Sequence, residues 1–220
     1  MMKTIVNLKL GTCRFFIVLT LLLILSVNVT VPLYGDTITN DFLKTLFSKL
    51  GTYKQFSAEF TQSRYMSMFK KPLISTGTIS FSYPDKIRFY YKTPFESIIL
   101  LAGGTMKRFR IENDAFKEQP SMEIVAKIIT KEIIRFLSGG LLEDAPYHIE
   151  YTASKPNQLS LIPQSAVARS VFSVIELYLS EDLTYIEQLK LVEENGDYIH
   201  IQHTSPSFKP LSDSIFHAPE

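Results

Sequence analysis

The 220-residue sequence contains no tryptophan and a single cysteine, Cys13. A lone thiol forms no disulfide within its chain. Cys13 also precedes the apolar run Phe15–Leu25, whereas a lipid-modified cysteine would follow such a run as the first mature residue, so the protein is not expected to be a lipoprotein. Past that point no thiol chemistry is available, and export without disulfides fits a bacterial periplasm better than a disulfide-dense secreted scaffold. Charge of one sign is missing too. Lysine and arginine number 23 against 22 acidic residues, a net charge of +1. Without residues 1–35, which hold Lys3, Lys9 and Arg14 and no acid, 20 basic residues face 22 acidic ones. That balance does not point to nucleic acid or an anionic membrane as the main partner. Finally, no apolar run reaches the ~20 residues of a membrane-spanning helix.

The short apolar run behind positive charge reads as a secretory signal peptide over residues 1–35, with Gly35 as the expected last residue before cleavage. Residues 36–220 then make one domain of ordinary size, destined for the periplasm. It is expected to open with a helix capped by Thr39 or Asn40. Phe42, Leu43, Leu46, Phe47 and Leu50 form its apolar stripe, and Gly51 ends it.

Period-two alternation follows. Phe56, Ala58 and Phe60 oppose Ser57, Glu59 and Thr61; Ile79, Phe81 and Tyr83 oppose Thr78, Ser80 and Ser82; Ile87, Phe89 and Tyr91 oppose Lys86, Arg88 and Lys92. Each such strand turns one face to an apolar environment and the other to water. Phe95–Leu101 is almost continuously apolar and is expected to be covered on both faces. Gly103-Gly104 and Asn195-Gly196 mark hairpins, the second joining 185–193 to 197–204. With strands at 147–151, 158–162 and 171–179, the pattern predicts an antiparallel meander of about ten strands in chain order. One more helix, Ser121–Leu137, carries Val125, Ile128, Ile129, Ile133, Phe136 and Leu137 on one face. The expected fold class is therefore mainly β (α+β): a strongly curved antiparallel sheet with amphipathic helices available to cover its concave side.

Catalytic chemistry has no visible seat. His200 and His203 have odd separation on a strand, so they face opposite ways and cannot share a metal. Gly103-Gly104 lacks the glycine and helix that a phosphate-cradling loop needs. Glu193, Glu194 and Asp197 fit a solvated hairpin tip, and neither a nucleophile elbow nor a metalloprotease motif occurs. No enzyme activity, cofactor or metal is expected. The apolar face is the stronger signal: two helices are scant cover for about ten strands, and curved β structures bind apolar ligands.

Several stretches carry a family resemblance. Phe56-Ser-Ala-Glu-Phe60-Thr-Gln62 resembles the F-x-A-x-F-x-Q start of the LolA-like family of periplasmic outer-membrane lipoprotein carriers. Gly77 to Pro84, Ile87-Arg-Phe-Tyr-Tyr91, Pro94 and Gly103-Gly104-Thr105 follow in the family's order, and Pro206–Phe216 is similar to its N-x-x-L-x-D-x-x-F close. The chain departs from the pattern in three places. The family's lid-closing arginine falls on Tyr83, its two tryptophans fall on Ser80 and Phe89, and its Asp-Gly hairpin is Gly103-Gly104.

The resemblance implies an incomplete antiparallel β-barrel with helices as lid and plug, and a carrier that holds acyl chains non-covalently between the two membranes. Its implied partners are acylated lipoproteins, an inner-membrane lipoprotein-releasing transporter complex and an outer-membrane acceptor, with the carrier itself a monomer. Phe60, Ile79, Phe81, Ile87, Phe89, Tyr91, Ile99 and Leu101 from the sheet, and Ile129, Ile133 and Phe136 from the lid, are the expected cavity lining. Tyr83 is the candidate for closing the lid; a phenol donates one hydrogen bond where an arginine offers five donors. A carrier of another lipid or glycolipid, or a periplasmic lipoprotein-sensing module, is the alternative on the same scaffold.

Overall fold

Alternation of apolar side chains produces a single eleven-stranded antiparallel sheet in the computed structural model, which describes residues 40–120 and 147–219. The expected signal segment, residues 1–35, lies outside the described residues. So does the expected lid helix Ser121–Leu137, with Ile129, Ile133 and Phe136.

Helix α1, Asn40–Leu50, has Asp41 in its first turn and Lys49 in its last, each favourable to the helix dipole. Its stripe Leu43, Leu46, Phe47 and Leu50 is buried. The first six strands are β1 (Gln55–Tyr65), β2 (Leu73–Ser82), β3 (Lys86–Thr93), β4 (Ser97–Ala102), β5 (Thr105–Glu112) and β6 (Ala115–Gln119). The remaining five are β7 (Tyr147–Thr152), β8 (Asn157–Pro163), β9 (Val174–Leu179), β10 (Ile186–Val192) and β11 (Tyr198–Ser207).

Neighbours in the sheet run β6-β5-β4-β3-β2-β1-β11-β10-β9-β8-β7. The expected chain order is thus broken once, where β1 pairs with β11 and joins two meanders back to back. β6 and β7 are the two ends of this order and do not pair, so the sheet is a curved, incomplete barrel, as the alternation and the resemblance implied.

Turn chemistry sets the register. Gly103 and Gly104 both have positive φ, 55° and 72°, and form the two-residue turn between Ala102 and Thr105. In the other anticipated hairpin Gly196 N donates to Glu193 O and Glu193 N to Asp197 O, a three-residue loop with Gly196 at φ 84°. Strand β6 was not anticipated. It is reached through Asn113 and Asp114, at φ 53° and 61°, a glycine-free turn with the same geometry as Gly103-Gly104.

Strand β4 has both faces covered, as its continuous apolarity requires. Ile99 and Leu101 join the main core, while Ile98 and Leu100 form a second cluster with Phe109. Phe95 does not belong to that run: it precedes the strand and is 65% exposed, with the Arg110 guanidinium 5.0 Å from its ring centre. A 3-10 turn, Asp213–Phe216, returns to the outer side of β3 and β4, held by Leu211 N donating to Gln55 Oε1 at 2.7 Å and by an ion pair between Lys86 and Asp213.

Candidate functional site

The main core is one continuous apolar face, built by the odd or even residues of successive strands and closed at one side by the α1 stripe. All eight sheet residues expected to line a cavity meet there. Phe60, Ile79, Phe81, Ile87, Phe89 and Leu101 are buried in it, and Tyr91 and Ile99 pack against it partly exposed.

Phe60, Phe89 and Tyr91 form its aromatic centre. Phe60 meets Phe89 at 5.8 Å and Tyr91 at 5.1 Å, both edge-on, the preferred arrangement for ring quadrupoles. The Tyr91 hydroxyl donates to Gln62 Oε1 at 3.0 Å, and burial pushes its pKa up to about 12, so the phenol stays neutral within the apolar face.

The rings approach because Gly77 lies beneath them. A β-carbon there would stand 2.0 Å from Tyr90 O and 2.9 Å from Phe60 Cζ. The ladder shifts register at this point, Thr76 facing Thr93 and Gly77 facing Tyr91.

Half of the face was not singled out from the sequence. Leu159 and Leu161 of β8, Ile175, Leu177 and Leu179 of β9, Ile186, Leu189 and Leu191 of β10, and Ile201 of β11 complete it. In β8 and β9 the alternation was available to be read. In β10 it slips, because an irregularity between Ile186 and Gln188 puts buried residues at 186, 189 and 191.

At one end of the face, rings surround a small opening. Tyr53 stacks on Phe208 at 3.9 Å, and Phe56 lies 5.8 Å from His203 and 6.2 Å from Tyr185. With Leu50, Phe81, Thr184 and Ile186 they line a cavity of about 30 Å³, room for about one water molecule. His203 Nδ1 is 2.9 Å from Ile186 O and donates to it; burial lowers its pKa and keeps the ring neutral. His200 points the other way, to Gln188 Oε1 at 2.9 Å on the outer face, as odd spacing demands.

Tyr83 is on the exposed turn between β2 and β3, 48% accessible, with Lys54 Nζ 4.4 Å from its ring centre. Its backbone N–H donates to Lys54 O at 2.8 Å. The partner it was expected to hold lies in 121–146, outside the described residues.

The outer face offers a polar groove of about 400 Å³ lined by Tyr178, Gln188, Lys190, Tyr198 and His200. Its charges are mutually satisfied: Lys190 Nζ binds Glu176 Oε2 at 3.1 Å, and Tyr178 donates to the same oxygen at 2.9 Å. Among the described residues no group of His, Cys, Asp and Glu could hold a metal ion, and no helix is long and apolar enough to cross a membrane.

An apolar sheet face flanked by a helix, in this strand order, coincides with a family match. The model for the outer membrane lipoprotein carrier protein LolA matches residues 51–219. The chain belongs to the LolA family. No curated protein matches it.

Solved structures similar to it include a LolA superfamily protein from Nitrosomonas europaea, with a TM-score of 0.43 and 8% identity over 80% of this chain and 97% of that one. The Pseudomonas aeruginosa MucA/MucB complex gives 0.47 and 14%, over 81% and 60%. The Mycobacterium tuberculosis lipoprotein LppX gives 0.40 and 7%, over 79% and 99%.

Proposed function

We propose that this LolA-family chain is a non-enzymatic, extracytoplasmic carrier that binds the acyl chains of lipoproteins on the inner face of its sheet and moves them from the inner to the outer membrane. The observation that supports this reading most directly is the continuity of that face. The apolar residues of β1–β4 and of β8–β11 form one surface, with the α1 stripe packed against it.

Each methylene moved from water onto such a surface contributes about 0.8 kcal/mol. A tail with ten covered methylenes therefore gains about 8 kcal/mol, enough to offset parting some side-chain contacts. Among the described residues, the cavity lined by Tyr53, Phe56 and Phe208 at the end of this face holds about 30 Å³, of the order of one methylene, so a tail seated there would part those side chains. The incomplete barrel has a place to part, because β6 and β7 do not clamp each other. Cargo would come from an inner-membrane releasing complex and pass to an outer-membrane acceptor, the carrier working as a monomer.

Native mass spectrometry with lipid extraction on the protein purified from its own cell envelope tests the cargo. A co-purifying triacylated or diacylated lipoprotein is the expected result, and a free lipid or glycolipid would change the substrate while keeping the scaffold. Ile99→Glu, on the inner face, is expected to lower binding of an acylated peptide by about 30-fold or more through loss of apolar contact and a desolvated charge. Gln202→Glu, exposed on the outer face of β11, is expected to leave binding unchanged. Equal binding by a folded Ile99→Glu protein would refute the assignment of this face.

A further inference from the structure

The hairpin joining β1 to β2 runs out past the sheet and carries an unusual surface. Strand β2 meets β3 only from Thr76 onward, so Leu73–Ser75 extend beyond their neighbour on that side. On the other side β11 ends at Tyr198, opposite Tyr65. In the loop past Tyr65, Met68 is 80% exposed and Phe69 47%; on the overhanging start of β2, Leu73 is 54% exposed and Ile74 48%.

Four large apolar side chains in open water at one tip are costly, and they are held there. Tyr65 stacks on Tyr198 at 5.1 Å, Ser67 N donates to Asp197 Oδ1 at 2.8 Å, and Phe69 N donates to Met66 O at 2.8 Å. Leu73 and Ile74 are adjacent in one strand and so point to opposite faces of the ribbon. A groove on a partner protein would cover one face. Only a medium that surrounds the tip satisfies both.

Charge adds the second observation. Lys70 and Lys71 directly follow Phe69, and no acidic residue occurs between Phe60 and Pro84. Two acidic side chains of the neighbouring turn sit at the hairpin's base and are engaged there, Glu193 facing Arg64 at 3.7 Å and Asp197 capping Ser67, while Glu194 is exposed on that turn. Apolar side chains at the tip, lysines beside them and a tyrosine at the base match the layering of a lipid interface, with acyl region, anionic headgroups and polar boundary in that order.

We infer that the 65–74 hairpin is a membrane-docking element that inserts Met68, Phe69, Leu73 and Ile74 into an anionic lipid surface. The inference goes beyond the carrier reading and does not need it: none of the four belongs to the buried core that holds Phe60, Phe89 and Tyr91. For a carrier, docking would hold the protein at the bilayer while cargo transfers.

The absence of tryptophan supplies the assay. Phe69→Trp places a single indole at the tip, and its emission is followed as vesicles of phosphatidylethanolamine and phosphatidylglycerol are added. The expected result is a blue shift with quenching by brominated acyl chains. In that background Lys70→Gln with Lys71→Gln weakens vesicle affinity about thirty-fold. All proteins are compared with the same N-terminus, so the apolar run 15–25 contributes equally to each.

Unshifted, unquenched emission with these vesicles overturns the inference, whatever the protein does with acylated peptide. A shift seen only with protein-containing envelope membranes and not with protein-free vesicles also overturns it, in favour of a protein partner. Loss of acylated-peptide binding with vesicle docking intact would refute the carrier reading alone.

Discussion

Replacing Gly77 by alanine tests how tightly the inner face is built. The added methyl carbon would stand 2.0 Å from the Tyr90 carbonyl oxygen and 2.9 Å from the Tyr90 carbonyl carbon, and the third neighbour, Phe60 Cζ, is also at 2.9 Å. A ring can rotate away, but a backbone carbonyl in a ladder cannot. To reach an ordinary contact β2 and β3 must part locally by about 1 Å, and hydrogen bonds near 2.9 Å do not stretch so far. Losing about two ladder bonds costs about 2 kcal/mol. Overpacking against Phe60 adds about 1–3 kcal/mol. The expected loss is therefore about 3–5 kcal/mol, a fall in Tm of roughly 10 °C for a domain of this size.

Gly103→Ala is the matched control. Nothing lies within 4 Å of its added carbon, and only its φ of 55° is unfavourable. Left-handed backbone costs about 1–2 kcal/mol for a residue with a β-carbon, or a few degrees in Tm. Thermal unfolding followed by circular dichroism, with urea titration to check that the slope is unchanged, measures both variants. A Gly77→Ala protein as stable as Gly103→Ala would refute the close approach of β2 and β3, and with it the placement of the aromatic centre.

Other outcomes follow from the same coordinates. Folding buries His203 neutral with a pKa below the ordinary 6.5, so the unfolded chain takes up a proton that the folded one refuses, and stability declines as pH falls below about 6.5. His203→Gln is expected to flatten part of the Tm loss between about pH 7 and 5; His200, shifted the same way by burial and by Lys190, accounts for a remaining slope. An unchanged pH profile in His203→Gln would show that the folded ring takes up its proton as readily as the unfolded one. Ser180, 3% exposed, donates to Asp182 Oδ1 and accepts from the N–H groups of Thr184 and Tyr185. Ser180→Ala should cost about 1 kcal/mol by urea unfolding, because the Tyr185 N–H loses its acceptor while Thr184 N keeps Asp182 Oδ1 at 3.2 Å. Phe216→Ala, removing a buried ring from the outer side of β4, should cost about 3 kcal/mol and speed amide exchange in β4 ahead of β9.

What was legible in the sequence and what was not divides along physical lines. Alternation in 77–91 displayed the inner face because β2 and β3 are covered on one side and wet on the other, so parity alone sorts Ile79, Phe81, Ile87 and Phe89 together. It failed at β10, where one irregularity in pairing shifts the parity and hides Leu189 and Leu191 from a period-two reading. It failed at β6 because the turn before it uses Asn113-Asp114 at positive φ, without the glycine that announced the Gly103 hairpin. The β1–β11 pairing was invisible for a different reason. Register between strands about 140 residues apart is decided by packing of the whole face, here Phe60 opposite His203 and Gln62 opposite Ile201, and leaves no local signature.

The exposed hairpin tip is the reverse case. Met68, Phe69, Leu73 and Ile74 read in sequence as ordinary strand-and-turn residues, and only the end of β3 at Thr93 and of β11 at Tyr198 leaves them without cover. One chain thus presents two apolar surfaces of different character. The inner face is wide, continuous and buried, with the α1 stripe packed along it. The tip is small, permanently open and flanked by lysines, so it can engage a surface without any change of fold. A protein that takes up apolar cargo at one membrane and releases it at another needs both properties kept apart, because a cavity that stayed as open as the tip would bind membrane lipid in place of its cargo.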